Sequence, residues 1–347
     1  MMRALTRTLL ALVAVVAALE LTMRVLPVST ATLTGYHLDP DLLTYPARHS
    51  WRVSTGWDLR NPQRLQSNSA GFAADREFLP DPNAVALIGD SFVEASMLDV
   101  GDRPGAALQR MLPERPVYAL GGPGSALLDY AQRIRWSREQ LQVRDFVLLL
   151  EAQDARQSLC GSGNVHSRCL DPITLAPRIE RQLPPGLAKR VLRHSALAQY
   201  LAGQIRVNPA SLMRTLFSRT TPETATLARR ASPPPTEGDL VAMRIRVDAV
   251  VVQFFEAARP HLTGRLLVLI DGSRDGAPRQ PALVDLERGH LISRLREGGA
   301  EVIDLEMVYA RHASASPRAL QVGPYDAHLN ALGVRLAMGQ AAAALAP

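Results

Sequence analysis

The apolar positions of this chain come first as one unbroken run and then as short strand-length blocks alternating with helically spaced ones. The run, Leu9 to Leu19 (LLALVAVVAAL), follows Arg3 and Arg7; Glu20 interrupts it and LTMRVLP continues it. Alone it is shorter than the roughly 20 residues a spanning helix needs, and it matches a signal-peptide core. Counted through Leu26 it reaches spanning length, with Glu20 and Arg24 near one face. The small-residue cleavage site before Glu20 is weak, so the run is read as an uncleaved signal anchor, with a cleaved signal as the alternative. Either reading exports the remainder of the chain, by the rule that basic flanks stay inside.

Residues 28–80 show no long periodicity and read as an irregular segment linking the anchor to a domain. From there the blocks alternate. Ala84–Ile88, Val117–Leu120 and Asp145–Leu150 are buried strands by length and apolarity, separated by helical spacing at Arg103–Leu112 and Leu127–Leu141. The alternation stops over about 155–238. This stretch holds a polar loop between the only two cysteines, a helical segment near Leu187–Ile205 and the Pro-, Ser- and Thr-rich TPETATLARRASPPPTEGD. It reads as an insertion, a candidate lid ending in a linker. Helices at Leu240–Ala258, Leu283–Glu297 and Ala331–Leu345 and strands at Arg265–Ile270 and Glu301–Leu305 complete the pattern. The predicted division is an anchor at 1–27, a packing segment at 28–80 and an α/β domain at 81–347. Buried strands alternating with helices predict a three-layer α/β/α sandwich with a mainly parallel sheet, whose ligands sit at the carboxyl ends of strands.

Composition narrows the partners. The chain has 347 residues and a net charge of +6, and Lys189 is its one lysine, so the positive charge is arginine. No block of like charge concentrates it. A solvated basic surface is the plain interpretation; attraction to anionic lipid or an acidic polysaccharide is the sharper one. No basic helix, zinc-ligand spacing or aromatic RNA-binding motif supports a nucleic-acid partner. Cys160 and Cys169 flank GSGNVHSR, and in an exported protein such a pair reads as one disulfide closing a small loop. A metal site built on these cysteines and His166 lacks a fourth ligand of suitable spacing. Nothing in the sequence names a cofactor.

Ser91 stands directly after the first strand, in ALIGDSF, where a strand-to-helix turn exposes a side chain beside free backbone N–H groups. Gly-Asp-Ser also suits an ordinary helix N-cap. Of eight histidines, only His328 lies just before a helix with a carboxylate close by, in PYDAHLNALG, with Asp326 two residues away. An aspartate orienting a histidine that accepts a serine proton is the logic of activated-serine catalysis. A capping Asp with a solvated His is the bland alternative.

The order GDS, Gly-rich turn, amide-bearing strand end and C-terminal Asp/His loop resembles the SGNH (GDSL-like) hydrolase superfamily from about Asn68 to the C-terminus. NSAGF at 68–72 and an anchor carrying a Glu are similar to membrane-anchored bacterial members. The resemblance implies an SGNH or flavodoxin-like fold, with Ser91 as nucleophile and backbone oxyanion donor. It also implies Gly124 of GGPGS as second donor, His328 as base and Asp326 as its helper. Two departures stand out. Gln153 occupies the place of the family's oxyanion Asn, and the Asp-x-x-His spacing is shortened to Asp326-Ala327-His328. The expected function is ester hydrolysis or O-acetyl transfer on an acylated envelope or exported glycan or a small ester. The expected site is the bacterial inner membrane, single-pass, with the domain facing the periplasm and other envelope proteins as candidate partners. The alternative is a catalytically degenerate glycan-binding or scaffold domain.

Overall fold

The computed structural model of the chain describes residues 2–30, 33–164, 167–205, 235–274 and 282–346. In chain order its principal elements are helix α1 (Met2–Val25), strands β1 (Gly35–Asp39), β2 (Leu42–Thr44), β3 (Ser50–Thr55), β4 (Arg60–Gln66) and β5 (Val85–Gly89), and helices α2 (Ser91–Glu94) and α3 (Pro104–Met111). Strand β6 (Val117–Gly121), helix α4 (Leu127–Leu141), strand β7 (Asp145–Leu150), helix α5 (Asp154–Gln157), strands β8 (Arg168–Leu170) and β9 (Pro177–Ile179) and helices α6 (Leu187–Leu192) and α7 (Ala196–Gln199) come next. The chain ends with α8 (Glu237–Ala258), β10 (Leu266–Ile270), α9 (Leu283–Glu297), β11 (Glu301–Asp304), α10 (Leu305–Ala315), the hairpin β12 (Gln321–Gly323) and β13 (Asp326–Leu329), and α11 (Ala331–Leu345).

The chain forms two compact units, and the larger comprises residues 33–50, 65–183 and 234–347. Its centre is a five-stranded, wholly parallel sheet of order β11-β10-β7-β5-β6. The pleat sends alternate residues to opposite faces. Ala86, Ile88, Leu148, Leu150, Val268 and Ile270 face α4, α8 and α9 through residues such as Ile134, Val250, Phe254 and Leu291. Val85, Leu87, Val147, Leu149, Leu267 and Leu269 face α3, α10 and α11 through Leu108, Tyr309, Ala337 and Met338. Both faces are therefore covered, which is why these strands read as continuous apolar runs. The order reverses between β5 and β7, and this switch point opens a crevice at the carboxyl ends of the strands.

The smaller unit comprises residues 1–32, 51–64 and 184–233. Helix α1 has 24 residues, contains an 18-residue stretch of mean hydropathy 2.0 with none of it buried, and is long and apolar enough to cross a membrane. Past it, Thr30 N donates to Arg52 O at 3.0 Å and Ser54 N to Ser29 Oγ at 2.9 Å.

Three local differences from the sequence pattern have physical reasons. Residues 28–80 contain β1 to β4, paired two by two; β2 has only three residues, β1 buries none of its five, and β4 buries one of seven, so they leave no apolar run. The expected helix at Leu187–Ile205 is split into α6 and α7 with a π-helical turn at Tyr200–Gln204, the break falling where Ser195 caps α7 through Ala198 N. The strand expected to include Leu305 ends at Asp304, whose carboxylate accepts from Glu306 N at 2.9 Å and starts α10. The linker sequence lies, up to residue 234, outside the described residues.

Candidate active site

The site grows from three adjacent strand ends. Strand β5 closes at Gly89. Asp90 then caps the single turn α2, its Oδ1 accepting from Phe92 N at 2.8 Å, and Ser91 is the first residue of that turn. The turn ends at Ala95, a non-glycine residue at φ 44°, in the sparsely populated left-handed region. Next to β5, strand β6 ends at Gly121, where a Cβ would lie 2.4 Å from Glu94 N. Only glycine lets α2 rest on the end of β6. Gly122 N donates to Gly89 O at 3.1 Å, which joins the two strand exits. Gly124, at φ 78°, turns the chain toward α4. On the other side of β5, β7 runs out into Glu151 and Gln153.

His328 arrives from the β12–β13 hairpin. Asn330, immediately beyond β13, donates to Ala319 O and Gln321 O at 2.8 and 3.1 Å, and accepts from Leu332 N and Gly333 N. It thus fixes the hairpin to the start of α11. His328 Nε2 lies 2.8 Å from Ser91 Oγ, and Nδ1 lies 2.6 Å from Asp326 Oδ1. The Asp326 oxygen also accepts from His328 N at 2.9 Å. The shortened Asp-x-His spacing thus still lets the carboxylate meet its imidazole, through one oxygen shared by ring and backbone. The Phe92 ring packs 4.7 Å from the His328 ring, centre to centre. Beyond β10, Arg274 stands over Phe92, donates to Ala327 O and pairs with Asp271 at 2.6 Å. Imidazole and hairpin are therefore braced from two sides.

Below this surface lies a buried acidic layer. Asp90, Glu94 and Asp154 are each 5% exposed or less. Burial first, and the Glu151 charge second, push Asp90 up to about 7. Burial likewise raises Glu151 and Asp154, and pushes Glu94 up to about 7, where Tyr45 donates to it at 2.9 Å. Arg133 supplies the buried counter-charge. For His328, burial works against the charged form. The hydrogen bond and charge of Asp326, with the charges of Asp90 and Glu151, outweigh it and hold the imidazole above its ordinary value. A histidine poised this way accepts a proton from the hydroxyl it faces and keeps it readily.

Ser91, His328 and Asp326, the three residues singled out from sequence for proton transfer, thus meet in one hydrogen-bonded line. Gly124 and Gln153 follow the neighbouring strands. Gln153 precedes α5, and its side-chain carbonyl accepts from the Arg156 guanidinium. Cys160 and Cys169 are joined by a disulfide, with Cα atoms 5.1 Å apart. Glu180 lies close to both sulfurs, but the bonded pair offers no thiolate for a metal. Sequence reasoning missed Phe92, Glu94, Arg133, Glu151 and Arg274. Glu151 had a signal, an acid at the end of an otherwise apolar strand. The others lie on helices or loops where only the tertiary fold decides who faces the site.

No family model matches the chain, and no curated protein matches it. Among solved structures, it is similar to an alpha/beta hydrolase enzyme from the metagenome of Lake Arreo, Spain, with a TM-score of 0.41 and 13% identity over 80% of this chain and 99% of that one. It is also similar to a member of the lipolytic protein G-D-S-L family from Veillonella parvula (TM-score 0.40, 13% identity, 76% and 97% covered). A third likeness is to an acetyl xylan esterase (TM-score 0.37, 12% identity, 76% and 100% covered).

Proposed function

We propose that this protein is a serine esterase or O-acetyltransferase of the SGNH (GDSL-like) superfamily. In this reading it is held in the bacterial inner membrane by α1, with its domain in the periplasm. The observation that carries the reading is the 2.8 Å approach of His328 Nε2 to Ser91 Oγ, with Asp326 on the far ring nitrogen. In the proposed reaction His328 removes the Ser91 proton as Oγ attacks an acyl carbonyl. The amides of Ser91 and Gly124 and the side-chain amide of Gln153 receive the developing oxyanion. The imidazolium then protonates the leaving alcohol, and an acyl-serine remains. Water completes hydrolysis; a sugar hydroxyl completes transfer, His328 taking the acceptor's proton in either case.

The proposed substrate is an acetylated envelope or exported glycan, supported by the resemblance of the motifs and by the apolar anchor. The test uses the full chain in detergent with p-nitrophenyl acetate and an O-acetylated polysaccharide. Hydrolysis lost in Ser91→Ala, together with labelling of Ser91 by a fluorophosphonate, is expected. Equal rates in both proteins would remove Ser91 from the reaction. No turnover and no labelling would favour the non-catalytic glycan-binding reading.

A further inference from the structure

Glu20 is the only acid in the apolar helix α1. Its carboxylate is fully engaged. Ser195 Oγ donates to it at 2.8 Å, and the backbone amides of Ala196 and Leu197 at 3.1 and 3.0 Å. Arg24, one turn on, donates at 2.8 Å and also reaches His194 O at 3.1 Å. An ionised side chain facing lipid costs about 3 kcal/mol or more unless its oxygens are satisfied. Here four donors satisfy them, three from the start of α7. The acid that interrupts the apolar run is thus the attachment point of a second segment.

That attachment sets a depth. Glu20 precedes Leu26 by six residues, roughly 9 Å along a helix rising about 1.5 Å per residue. With Arg3 and Arg7 on the cytoplasmic side, α6 and α7 lie at the level of the outer interface. Their surface suits that level. Leu187, Val191 and Leu192 are 72%, 63% and 56% exposed, and Arg190 is exposed beside them. Between this segment and α1 runs a groove of about 620 Å³, with Leu12, Val13, Val16 and Val191 among its walls and Arg24 and His194 at its polar part. An apolar trough carrying a cation complements a lipid chain with an anionic headgroup.

We infer that residues 187–205 form an interfacial membrane segment, locked to the anchor through Glu20, and that the groove between them holds an anionic phospholipid whose phosphate pairs with Arg24. This rests on the anchor orientation proposed above.

The test reconstitutes the full chain in phosphatidylglycerol/phosphatidylethanolamine vesicles carrying a trace of photoactivatable phosphatidylglycerol, and in phosphatidylcholine vesicles carrying the choline analogue. Cross-linked peptides are then mapped. Adducts are expected in both α1 and 187–205, with the glycerol probe labelling the second at least threefold more than the choline probe. Glu20→Leu should keep the α1 adducts and lose most of those in 187–205, and Val191→Asp should do the same without touching the carboxylate. Adducts confined to α1 in the unaltered protein would overturn the interfacial segment while leaving the anchor intact. Equal labelling by both headgroups would overturn the anionic site. Labelling of neither element would overturn the anchor and this inference together.

Discussion

The Arg133 guanidinium, 1% exposed in the middle of α4, donates to the Gly89 carbonyl at 2.6 Å and to Leu120 O at 3.2 Å. It ties the exits of β5 and β6 from beneath and places one positive charge among Asp129, Asp90 and Glu94. Burial lowers its own pKa, so the charge persists only because these acids and carbonyls surround it. Arg133→Met keeps the volume and deletes both bonds and the charge. Stability should fall by about 3–5 kcal/mol, the usual consequence of removing one partner from a buried charge cluster. That is on the order of 10 °C in Tm for a protein of this size. Thermal unfolding of the full chain in detergent reads it directly, and an unchanged Tm would mean that the acidic layer is neutral without Arg133.

The pH dependence of catalysis follows from the same surroundings. Asp326, bonded to Nδ1, together with the Asp90 and Glu151 charges, holds the His328 pKa up. On the proposed mechanism neutral imidazole is the active base, so kcat/KM should fall as pH drops through that raised value. Asp326→Asn removes the nearest charge, and the acid limb should move to lower pH. The rate should drop by about 10³ to 10⁴, because the wrong ring tautomer then faces the serine. A pH profile of p-nitrophenyl acetate hydrolysis measures both effects. An acid limb that stays in place would show that Asp326 does not set the base.

The alternation of apolar blocks made the parallel sheet legible, because strands buried on both faces need unbroken runs such as Ala84–Ile88 and Asp145–Leu150. The candidate site was legible in Ser91 and His328, since both are polar residues at points where a strand-like stretch meets a helix. The hairpin bearing His328 was not, because β12 and β13 have three and four residues and pair through local geometry, not through periodicity. Arg133 was hidden for a different reason. It lies within an amphipathic helix among other arginines, and only the arrival of two strand ends beneath it makes it a buried residue. The role of Glu20 was equally hidden, since three of its four donors lie 175 residues and more along the chain.

Glu94 gives a stability prediction whose sign is fixed by linkage. Its ordinary value is 4.5 and burial pushes it up to about 7, so the folded protein holds a proton that the unfolded chain releases in between. Its contribution is complete below about pH 4.5 and is lost as pH rises through about 7. Glu94→Gln replaces the neutral acid with a neutral amide that can still accept from Tyr45. The variant should match the parent near pH 4.5 and exceed it by on the order of 3 kcal/mol at about pH 8.5. Tm measured across that range checks the crossover. A variant less stable at every pH would show that the carboxylate, and not the proton on it, fits this pocket.

Cys160 and Cys169 close a loop of sequence separation 9, between the start of the β8–β9 hairpin and the residues just after α5. Replacing both by serine restores freedom to the unfolded chain and should cost about 2–3 kcal/mol on the chain-entropy account. Alkylation of the unreduced full chain should add nothing, and reduction first should add two alkyl groups.

Gln153 is where the sequence departs furthest from the oxyanion-hole pattern. Its carbonyl oxygen accepts from Arg156. Because the amide is planar, fixing the oxygen also fixes the direction of the NH2 group, which then points away from Arg156. On the proposed mechanism that group is the third oxyanion donor, and Arg156 is the residue that aims it. Gln153→Ala should lower kcat about a hundredfold with little change in KM, the signature of a contact made in the transition state. Arg156→Ala should lower kcat less, since the amide can still find the orientation at an entropic cost. Gln153→Asn shortens the reach by one methylene and separates position from chemistry. Partial activity would place the oxyanion within range of the shorter amide, whereas a loss equal to that of alanine would show that the longer side chain is matched to this strand end. If none of the three substitutions changes kcat by more than twofold, Gln153 lies outside the oxyanion hole and the backbone amides of Ser91 and Gly124 act alone.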